Sequence, residues 1–138
     1  MYKKILLATD GSKHSIRSAE HAIYLADSFD SVIELVYVVG GEKSKEDVLH
    51  SVDKYEVKRE REEKLRPIQE QLENAGLQYN SHLLHGEPGP TIVKFANENA
   101  FDLVVVGSRG LNNLQTMILG SVSHKVAKRV SCPVLIVK

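Results

Sequence analysis

The sequence predicts an α/β fold, namely one domain over residues 1–138 with an open, doubly wound, five-stranded parallel sheet and helices on both faces. Short apolar runs that stop at turn residues are too brief for helices and are typical of strands buried on both faces. Segments with helical periodicity alternate with these runs, and this alternation implies right-handed crossovers. With 138 residues, of which 42% are hydrophobic, the chain is long enough for one substantial core.

The first strand and the first helix are predicted from the N-terminal segment. The run KKILLAT, residues 3–9, ends at the turn sequence DGS and predicts a buried strand. Ser12 is a residue type that caps helices well. Apolar residues then recur at helical spacing and predict an inward stripe formed by Ile16, Ala19, Ile23 and Ala26.

The next segments predict a second strand and a long helix. Residues 31–39 are β-branched and apolar, which favours a strand, and residues 40–47 predict a loop. Residues 48–75 predict a helix whose apolar stripe is Leu65, Ile68 and Leu72. Pro67 should kink or restart this helix, and Gly76 should end it. The charges over residues 58–66 alternate in sign, so we interpret this run as a solvated helix face.

The second half of the chain continues the alternation of strands and helices. Residues 77–85 predict the third strand, and Pro90 suits the start of a helix that runs to about Asn99. Residues 101–107 predict the fourth strand and residues 132–138 the last one. Between them lies a helix whose apolar stripe is predicted to be Ile118, Leu119, Val122, Val126 and Val130.

Charge and cysteine usage restrict the possible partners and the compartment. The net charge is zero, with 18 basic and 18 acidic residues, so no global field attracts nucleic acid or an acidic membrane surface, and we expect neither partner. Cys132 is the single cysteine, which excludes an intrachain disulfide and fits a reducing compartment. The apolar run of residues 5–8 is too short for a signal peptide or a membrane span. We therefore expect a cytoplasmic protein.

Candidate binding residues follow the predicted strands. In an open parallel sheet, ligands bind beyond the carboxyl ends of the strands, where the strand order reverses. The first strand ends at Thr9 and Asp10, the second at Val38, and the fourth at Gly107. If the first and fourth strands are neighbours, the segments TDGS and GSRG face each other across a crevice. Asp10 could then accept hydrogen bonds from a sugar hydroxyl or a base edge, or approach a phosphate-bound Mg²⁺.

The segment VVVGSRGLNNLQTMILGSVS, residues 104–123, places glycines and hydroxyls between a strand and a helix. Gly107 permits a sharp turn, and Gly110 leaves the backbone open to a ligand. Gly120 begins the last helix, whose free N–H groups and positive dipole end favour an anion. Further phosphate-binding groups come from Arg109, Ser121 and Ser123. These residues predict a nucleotide pocket. The alternative is that the three glycines only form two turns and bind nothing.

The spacing of these glycines carries a resemblance to a known family. This spacing resembles the ATP-binding motif of the universal stress protein family. Two residues separate Gly107 from Gly110, and nine residues separate Gly110 from the pair Gly120-Ser121. Four further segments resemble sequences of that family at the corresponding positions, namely ILLATDGS, DLVVVGSRG, GSVSHKVAKRV and CPVLIVK. The resemblance therefore spans essentially the whole chain. The motif is intact here, and family members that lack it form a group not expected to bind ATP. Residues 40–75 carry no signature of the family.

The resemblance implies a strand order, a cofactor and a partner. It implies the order 3-2-1-4-5, with ATP as the cofactor and Mg²⁺ held through its phosphates. It implies adenine and ribose near Asp10 and Val38, and phosphates held by Gly107, Arg109, Gly110, Gly120, Ser121 and Val122. It also implies a homodimer paired through residues Val134 to Val137, and an open apolar edge strand has a physical reason to pair.

Three functional hypotheses follow from these residues. The first is an ATP-binding universal stress protein that acts as a nucleotide-dependent signalling module. The second is a slow ATPase or a phosphoryl-transfer enzyme, but no residue is assigned a catalytic role, because the phosphate end offers no clear water-orienting base. The third is an interaction protein whose pocket is vestigial.

Other functional motifs are absent or weak. The chain has neither the G-x-x-x-x-G-K-[ST] sequence of P-loop proteins nor the G-x-G-x-x-G sequence of dinucleotide sites. A response-regulator receiver would need an acidic pair after the first strand, which offers only Asp10. His82 and His85 are three residues apart on a strand and point to opposite faces, which disfavours a metal pair. We interpret Cys132 as a small buried hydrophobic residue.

Overall fold

The structure, a computed structural model, describes residues 1–40, 54–108 and 120–138. Within these ranges, strands and helices alternate as predicted. In chain order they are β1 (Lys4–Thr9), α1 (Lys13–Phe29), β2 (Val32–Val39), α2 (Lys54–Asn74), β3 (Tyr79–His85), α3 (Pro88–Glu98), β4 (Leu103–Gly107), α4 (Ser121–Arg129) and β5 (Val134–Val137). Three predicted features lie wholly or partly outside the described residues. They are most of the loop predicted for residues 40–47, the first residues of the predicted long helix, and Ile118 and Leu119 of the last predicted apolar stripe.

The strands form one parallel sheet in the order β3-β2-β1-β4-β5, which confirms both the fold class and the strand order. β1 lies at the centre between β2 and β4, so the direction in which the chain winds reverses there. The polypeptide moves outward from β1 through β2 to β3 and then crosses over to β4 and β5. None of the helices in the described ranges is long and apolar enough to cross a membrane.

The sheet separates two apolar clusters because successive side chains of a strand point to opposite faces. On one face, Ile5 and Leu7 of β1 pack with α1 and α2. On the other face, Leu6 and Ala8 pack with α3 and α4. Ile5, Leu6 and Leu7 are each 0% exposed, which explains why β1 is a continuous apolar run rather than an alternating one.

The buried stripe of α1 differs in part from the predicted one. Ala19 and Ala26 are fully buried and Ile23 is half-buried, as expected, but Ile16 is 36% exposed. The first turns of α1 bury Ser15 and Ser18 instead. These turns lie beside the carboxyl end of the sheet, where the neighbouring surface is polar, so the inward positions carry hydroxyls rather than apolar side chains.

Helix α2 has the predicted apolar stripe but passes through its proline. Leu65, Ile68 and Leu72 are all buried against the sheet, as predicted. Of the two outcomes predicted at Pro67, the restart is wrong, because the helix runs unbroken from Lys54 to Asn74 with Pro67 inside it. The kink stays a prediction. Burial of the apolar residues on either side of Pro67 offsets the backbone hydrogen bond that proline cannot make.

Gly76 ends α2 as predicted. Its φ of +69° is a left-handed conformation that glycine adopts without a steric penalty. The N–H of Gly76 donates to the Glu73 carbonyl at 3.0 Å, and the N–H of Leu77 donates to the Leu72 carbonyl at 3.1 Å. These two bonds form a Schellman motif, which satisfies the last carbonyls of the helix and turns the chain toward β3.

Two predicted boundaries are shifted by two residues. Helix α3 begins at Pro88 rather than Pro90, with Glu87 as its N-cap. Both prolines lie in the first turn, where N–H groups have no intrahelical acceptor, so neither weakens the helix. Strand β3 begins at Tyr79 rather than Leu77, because Leu77 belongs to the turn that closes α2.

Tyr79 should ionise at an unusually high pH. Its hydroxyl donates a hydrogen bond to Glu73 Oε1 at 2.6 Å. This bond, together with partial burial and the negative charge of Glu73, raises the pKa of Tyr79 from 10.0 to about 12. The folded pKa lies above the ordinary value, so the contribution to stability is complete below pH 10 and disappears as the pH rises through about 12.

A titration of tyrosinate absorbance checks this expectation. The absorbance should include a transition near pH 12 from Tyr79, and Glu73→Gln should return this transition to the ordinary range. Tyr24→Phe is the matched control, because Tyr24 is 74% exposed and its loss should leave the late transition in place. A late transition that persists in Tyr79→Phe would contradict the assignment.

Candidate functional site

The candidate site lies where β1 and β4 separate at the carboxyl edge of the sheet. The β1–β4 register ends at Leu7↔Val105. Each strand continues to pair with its outer neighbour, β1 with β2 as far as Thr9↔Tyr37 and β4 with β5 as far as Gly107↔Val137. The last residues of the two central strands therefore flank a gap. Such a gap at the point where the strand order reverses is where open parallel sheets bind ligands.

A cavity of about 350 Å³ occupies this gap. Among the described residues, it is lined by eight of the predicted site residues, namely Thr9, Asp10, Val38, Gly107, Gly120, Ser121, Val122 and Ser123. The other two predicted site residues, Arg109 and Gly110, lie outside the described residues. The cavity volume is within the range of small-molecule sites, and residues far apart in the chain converge on it.

The first turn of α1 fixes the Asp10 carboxylate in one orientation. Its Oδ1 accepts the backbone N–H of Ser12 at 2.9 Å and the hydroxyl of Ser15 at 2.8 Å. Ser12 is the N-cap residue as predicted, but its own side chain makes no capping bond. The N–H that Asp10 accepts is that of Ser12 itself, immediately before the helix. The second oxygen, Oδ2, has no hydrogen bond to a described residue and is available as an acceptor.

The carbonyl of Val38 is a second acceptor at the cavity wall. The backbone carbonyl of Val39 points toward β3, since it accepts the Gly86 N–H at 2.9 Å. Successive residues of a strand direct their backbone groups to opposite sides, so the Val38 carbonyl faces β1. The β1 ladder has ended at Thr9, and the next N–H that could reach Val38, that of Gly11, donates to Thr9 Oγ1 at 3.2 Å. No described residue therefore satisfies this carbonyl.

The opposite end of the cavity presents hydrogen-bond donors. Helix α4 begins after Gly120, and its first intrahelical bond runs from the His124 N–H to the Gly120 carbonyl at 3.0 Å. The N–H groups of Ser121, Val122 and Ser123 precede that bond and have no partner among the described residues. All three residues line the cavity, so this end combines free N–H groups with the positive end of the helix dipole.

A short contact brings the two flanks of the glycine-serine segment together. The N–H of Gly120 donates to the Ser108 carbonyl at 3.1 Å. A Cβ on Gly120 would lie 3.1 Å from the same oxygen, although the backbone angles, φ −62° and ψ 158°, suit any residue. Glycine is therefore favoured at position 120 by the close approach of Ser108 and not by its backbone conformation.

The hydroxyl of Ser123 is already engaged by the protein. Ser123 is 1% exposed, and its Oγ donates to the Gly120 carbonyl at 3.0 Å. Its hydroxyl oxygen can still accept, whereas Ser121 in the same turn is exposed and free to donate.

Sequence reasoning missed several residues of the cavity wall. They are Ala8, Ser15, Ser18, Pro88, Ile92, Val106 and Ser108. A usable signal existed for two of them, because Ser15 and Ser18 are hydroxyls on the inward face of a helix that is otherwise lined by alanines. No local signal marks Pro88 or Ile92, which reach the cavity because α3 packs against β2 and α4 beside it.

Of the other candidate side chains that the structure describes, His82, His85 and Cys132 are not among the residues that line the cavity. His82 Nε2 is 2.8 Å from Glu34 Oε2, and no cluster of three or more metal-binding side chains occurs among the described residues. Cys132 is partly buried against the α3–α4 cluster, in line with an apolar role. Burial raises the pKa of its thiol, which lowers its reactivity at neutral pH.

Comparison with known proteins agrees with this architecture. The sequence profile of the universal stress protein family matches residues 1–138. The chain belongs to the universal stress protein family. Universal stress protein MJ0531 of Methanocaldococcus jannaschii is 37% identical over 143 residues, which cover 100% of this chain and 83% of that protein.

Solved universal stress proteins share the fold. The structure of MJ0577, also from Methanocaldococcus jannaschii, superposes with a TM-score of 0.83 at 32% identity and covers 100% of this chain and 96% of that one. A universal stress protein solved in complex with cAMP has a TM-score of 0.72 and 26% identity, covering 99% of this chain and 96% of that one. The sheet order and the helices on both faces are thus features of the family fold.

Proposed function

We propose that this universal stress protein binds an adenine nucleotide in the cavity between β1 and β4, with ATP and Mg²⁺ as its physiological ligands. The observation that carries the proposal is the polarity of the cavity, with acceptors at the β1–β2 end and donors at the start of α4. A nucleotide has the complementary polarity, because its base and sugar donate hydrogen bonds and its phosphates accept them. The cAMP complex of a relative supports the same class of ligand.

The acceptor end suits adenine and ribose. The Val38 carbonyl can accept the exocyclic amino group of adenine, whereas guanine presents a carbonyl oxygen at the equivalent position and would be repelled. Asp10 Oδ2 can accept a sugar hydroxyl, since Ser12 and Ser15 hold the other carboxylate oxygen. Ala8, Val106 and Ile92 supply apolar walls on which a flat base can pack.

The donor end suits phosphates. The free N–H groups of Ser121, Val122 and Ser123 and the dipole of α4 favour an anion. The Ser108–Gly120 contact closes the segment that contains Arg109 and Gly110, for which we propose further phosphate contacts. The intact spacing from Gly107 to Ser121 supports assignment to the ATP-binding group of the family.

Signalling requires a surface that other molecules can sense, and we propose a homodimer formed through β5. This strand pairs with β4 on one side only and lies at the edge of the sheet. Val134, Leu135 and Ile136 are only half-buried, so an apolar edge with unpaired backbone groups faces outward. We also propose a cytoplasmic location for this role, which the single cysteine of the chain, Cys132, supports.

Binding measurements on the purified protein test the proposal. ATP with Mg²⁺, AMP and cAMP should each raise the melting temperature, and mass spectrometry should detect an adenine nucleotide released from the protein. No shift at millimolar concentrations of all three ligands would overturn the proposal. Measured ATP turnover that falls in Arg109→Ala would favour the slow ATPase instead.

Asp10 variants should separate its structural contribution from its role in binding. Asp10→Asn keeps an oxygen for Ser12 and Ser15 but turns an NH₂ group toward the sugar in place of an acceptor. We expect its melting temperature to change little and its affinity for AMP to fall about tenfold, which corresponds to a lost charge-assisted hydrogen bond.

Asp10→Ala is the companion variant, since it also removes the acceptor of the Ser12 N–H and the Ser15 hydroxyl. It should lose roughly 1–3 kcal/mol of stability, because these donors are left without their partner. Calorimetry and thermal unfolding measure the two effects separately. Wild-type AMP affinity in a folded Asp10→Asn protein would exclude Asp10 from the binding site.

A further inference from the structure

Ser18 is an anomaly in the cavity wall. It lies on α1 one helical turn beyond Ser15, borders the cavity and is 0% exposed. Its hydroxyl has no hydrogen-bond partner in the described ranges of the chain. Ser15, by contrast, donates to Asp10 at 2.8 Å and lies 3.3 Å from the Ser12 hydroxyl. Buried polar groups in proteins almost always have a partner, so an isolated one indicates a group that is missing from the protein alone.

Packing gives no reason for a serine at this position. The inward face of α1 continues from Ser18 to Ala19, Ala22 and Ala26, all fully buried. Alanine would fill the same space, would bury no polar group and would favour the helix more than serine does. The hydroxyl therefore lowers the stability of the ligand-free protein, and destabilising residues of this kind concentrate at functional sites.

We propose that Ser18 is a ligand-binding residue of this cavity. When the nucleotide binds, the Ser18 side chain turns toward the cavity, and its hydroxyl bonds a polar atom in the sugar region, directly or through one ordered water. The location follows from the helix, because Ser18 lies next to Ser15, which holds Asp10 at the acceptor end. A bridging water would serve the same purpose, since water-mediated bonds are nearly as favourable as direct ones. The inference rests on the proposed nucleotide binding and adds a contact from α1 to it.

The proposal predicts effects of opposite sign on stability and on affinity. Ser18→Ala removes an unsatisfied hydroxyl, so the ligand-free protein should melt at the same temperature or a few degrees higher. The same change removes a ligand contact, so the Kd for AMP should rise about three- to tenfold. A serine with a purely structural hydrogen bond would show the reverse, with lower stability and unchanged affinity.

Ser28→Ala is the matched control on the same helix. Ser28 is exposed, and its hydroxyl donates to the Tyr24 carbonyl at 2.8 Å on the outer face of α1. Its replacement should leave the Kd for AMP unchanged. Ser18→Cys provides a second variant of nearly the same size that keeps only a weak donor, and its affinity should also fall.

Calorimetry with AMP and with ATP plus Mg²⁺, paired with thermal unfolding of each ligand-free variant, decides the matter. Weaker binding by Ser18→Ala without loss of stability, together with wild-type behaviour of Ser28→Ala, supports the assignment. Wild-type affinity in Ser18→Ala, or a loss of ligand-free stability, overturns it. If the wild-type protein binds neither probe, the proposed function itself fails, and that outcome is visible before any variant is compared.

Discussion

Gly120→Val should reduce the affinity for adenine nucleotides on the order of a hundredfold. The Cβ alone would lie 3.1 Å from the Ser108 carbonyl oxygen, and valine adds two methyl groups beyond it. Relief of that overlap must separate Gly120 from Ser108 and break the 3.1 Å hydrogen bond that joins the two flanks of the glycine-serine segment. Overpacking of this kind costs about 1–3 kcal/mol, and here the cost falls on the phosphate-binding end of the cavity.

A graded series makes this result specific. Gly120→Ala requires the neighbour to yield by only a few tenths of an ångström, so its affinity should lie between those of wild type and Gly120→Val. Gly40→Val is the control for introducing valine, because nothing in the described part of the chain lies within 4 Å of a Cβ at that position. Calorimetry gives the affinities, and thermal unfolding verifies that each variant is folded. A folded Gly120→Val protein with wild-type affinity would exclude the start of α4 from the site.

Ile136→Pro should convert the proposed homodimer into monomers. The carbonyls of Pro133 and Val137 accept bonds from β4, so these residues of β5 face inward, and Ile136 between them faces outward. Proline at position 136 therefore removes one donor from the free edge without removing a donor from the β4–β5 ladder. The expected result is the mass of one chain in place of two by light scattering, with the melting temperature of the monomeric fold largely retained.

Leu135→Pro is the matched comparison one residue away. Leu135 faces β4 in register with Val105, so proline there removes a ladder donor and should destabilise the fold itself. A wild-type protein that is monomeric would remove the homodimer from the proposal. An Ile136→Pro protein that stays dimeric would move the interface away from the β5 edge.

The elements that the sequence predicted well are those whose burial is uniform. β1 is a continuous apolar run because helices cover both faces of the sheet, and its three central side chains are fully buried. The predictions that failed depend on neighbours. Pro67 remains inside a helix because Leu65 and Ile68 are anchored on either side of it, and Ile16 is exposed because the first turns of α1 lie over the polar edge of the sheet.

The same division holds for the candidate site. Asp10, Gly107 and Gly120 were predictable, because turn residues at the ends of buried strands mark the carboxyl edge of a parallel sheet. Ser18 was not, since a single serine in a helix gives no sign of whether its hydroxyl is solvated, bonded or isolated. Its isolation appears only when α1 is packed against the sheet and the buried hydroxyl is seen to have no partner there.

The sequence by itself determined the order and type of the elements, the family and the glycine-serine segment, because these depend on local periodicity and residue spacing. The tertiary structure alone decided that β1 and β4 part after Leu7 and Val105, that the Val38 carbonyl is left without a strand partner, and that Gly120 approaches Ser108. These features arise from contacts between segments far apart in the chain. The hydrophobic pattern within each segment does not depend on such a contact, so the pattern cannot reveal it.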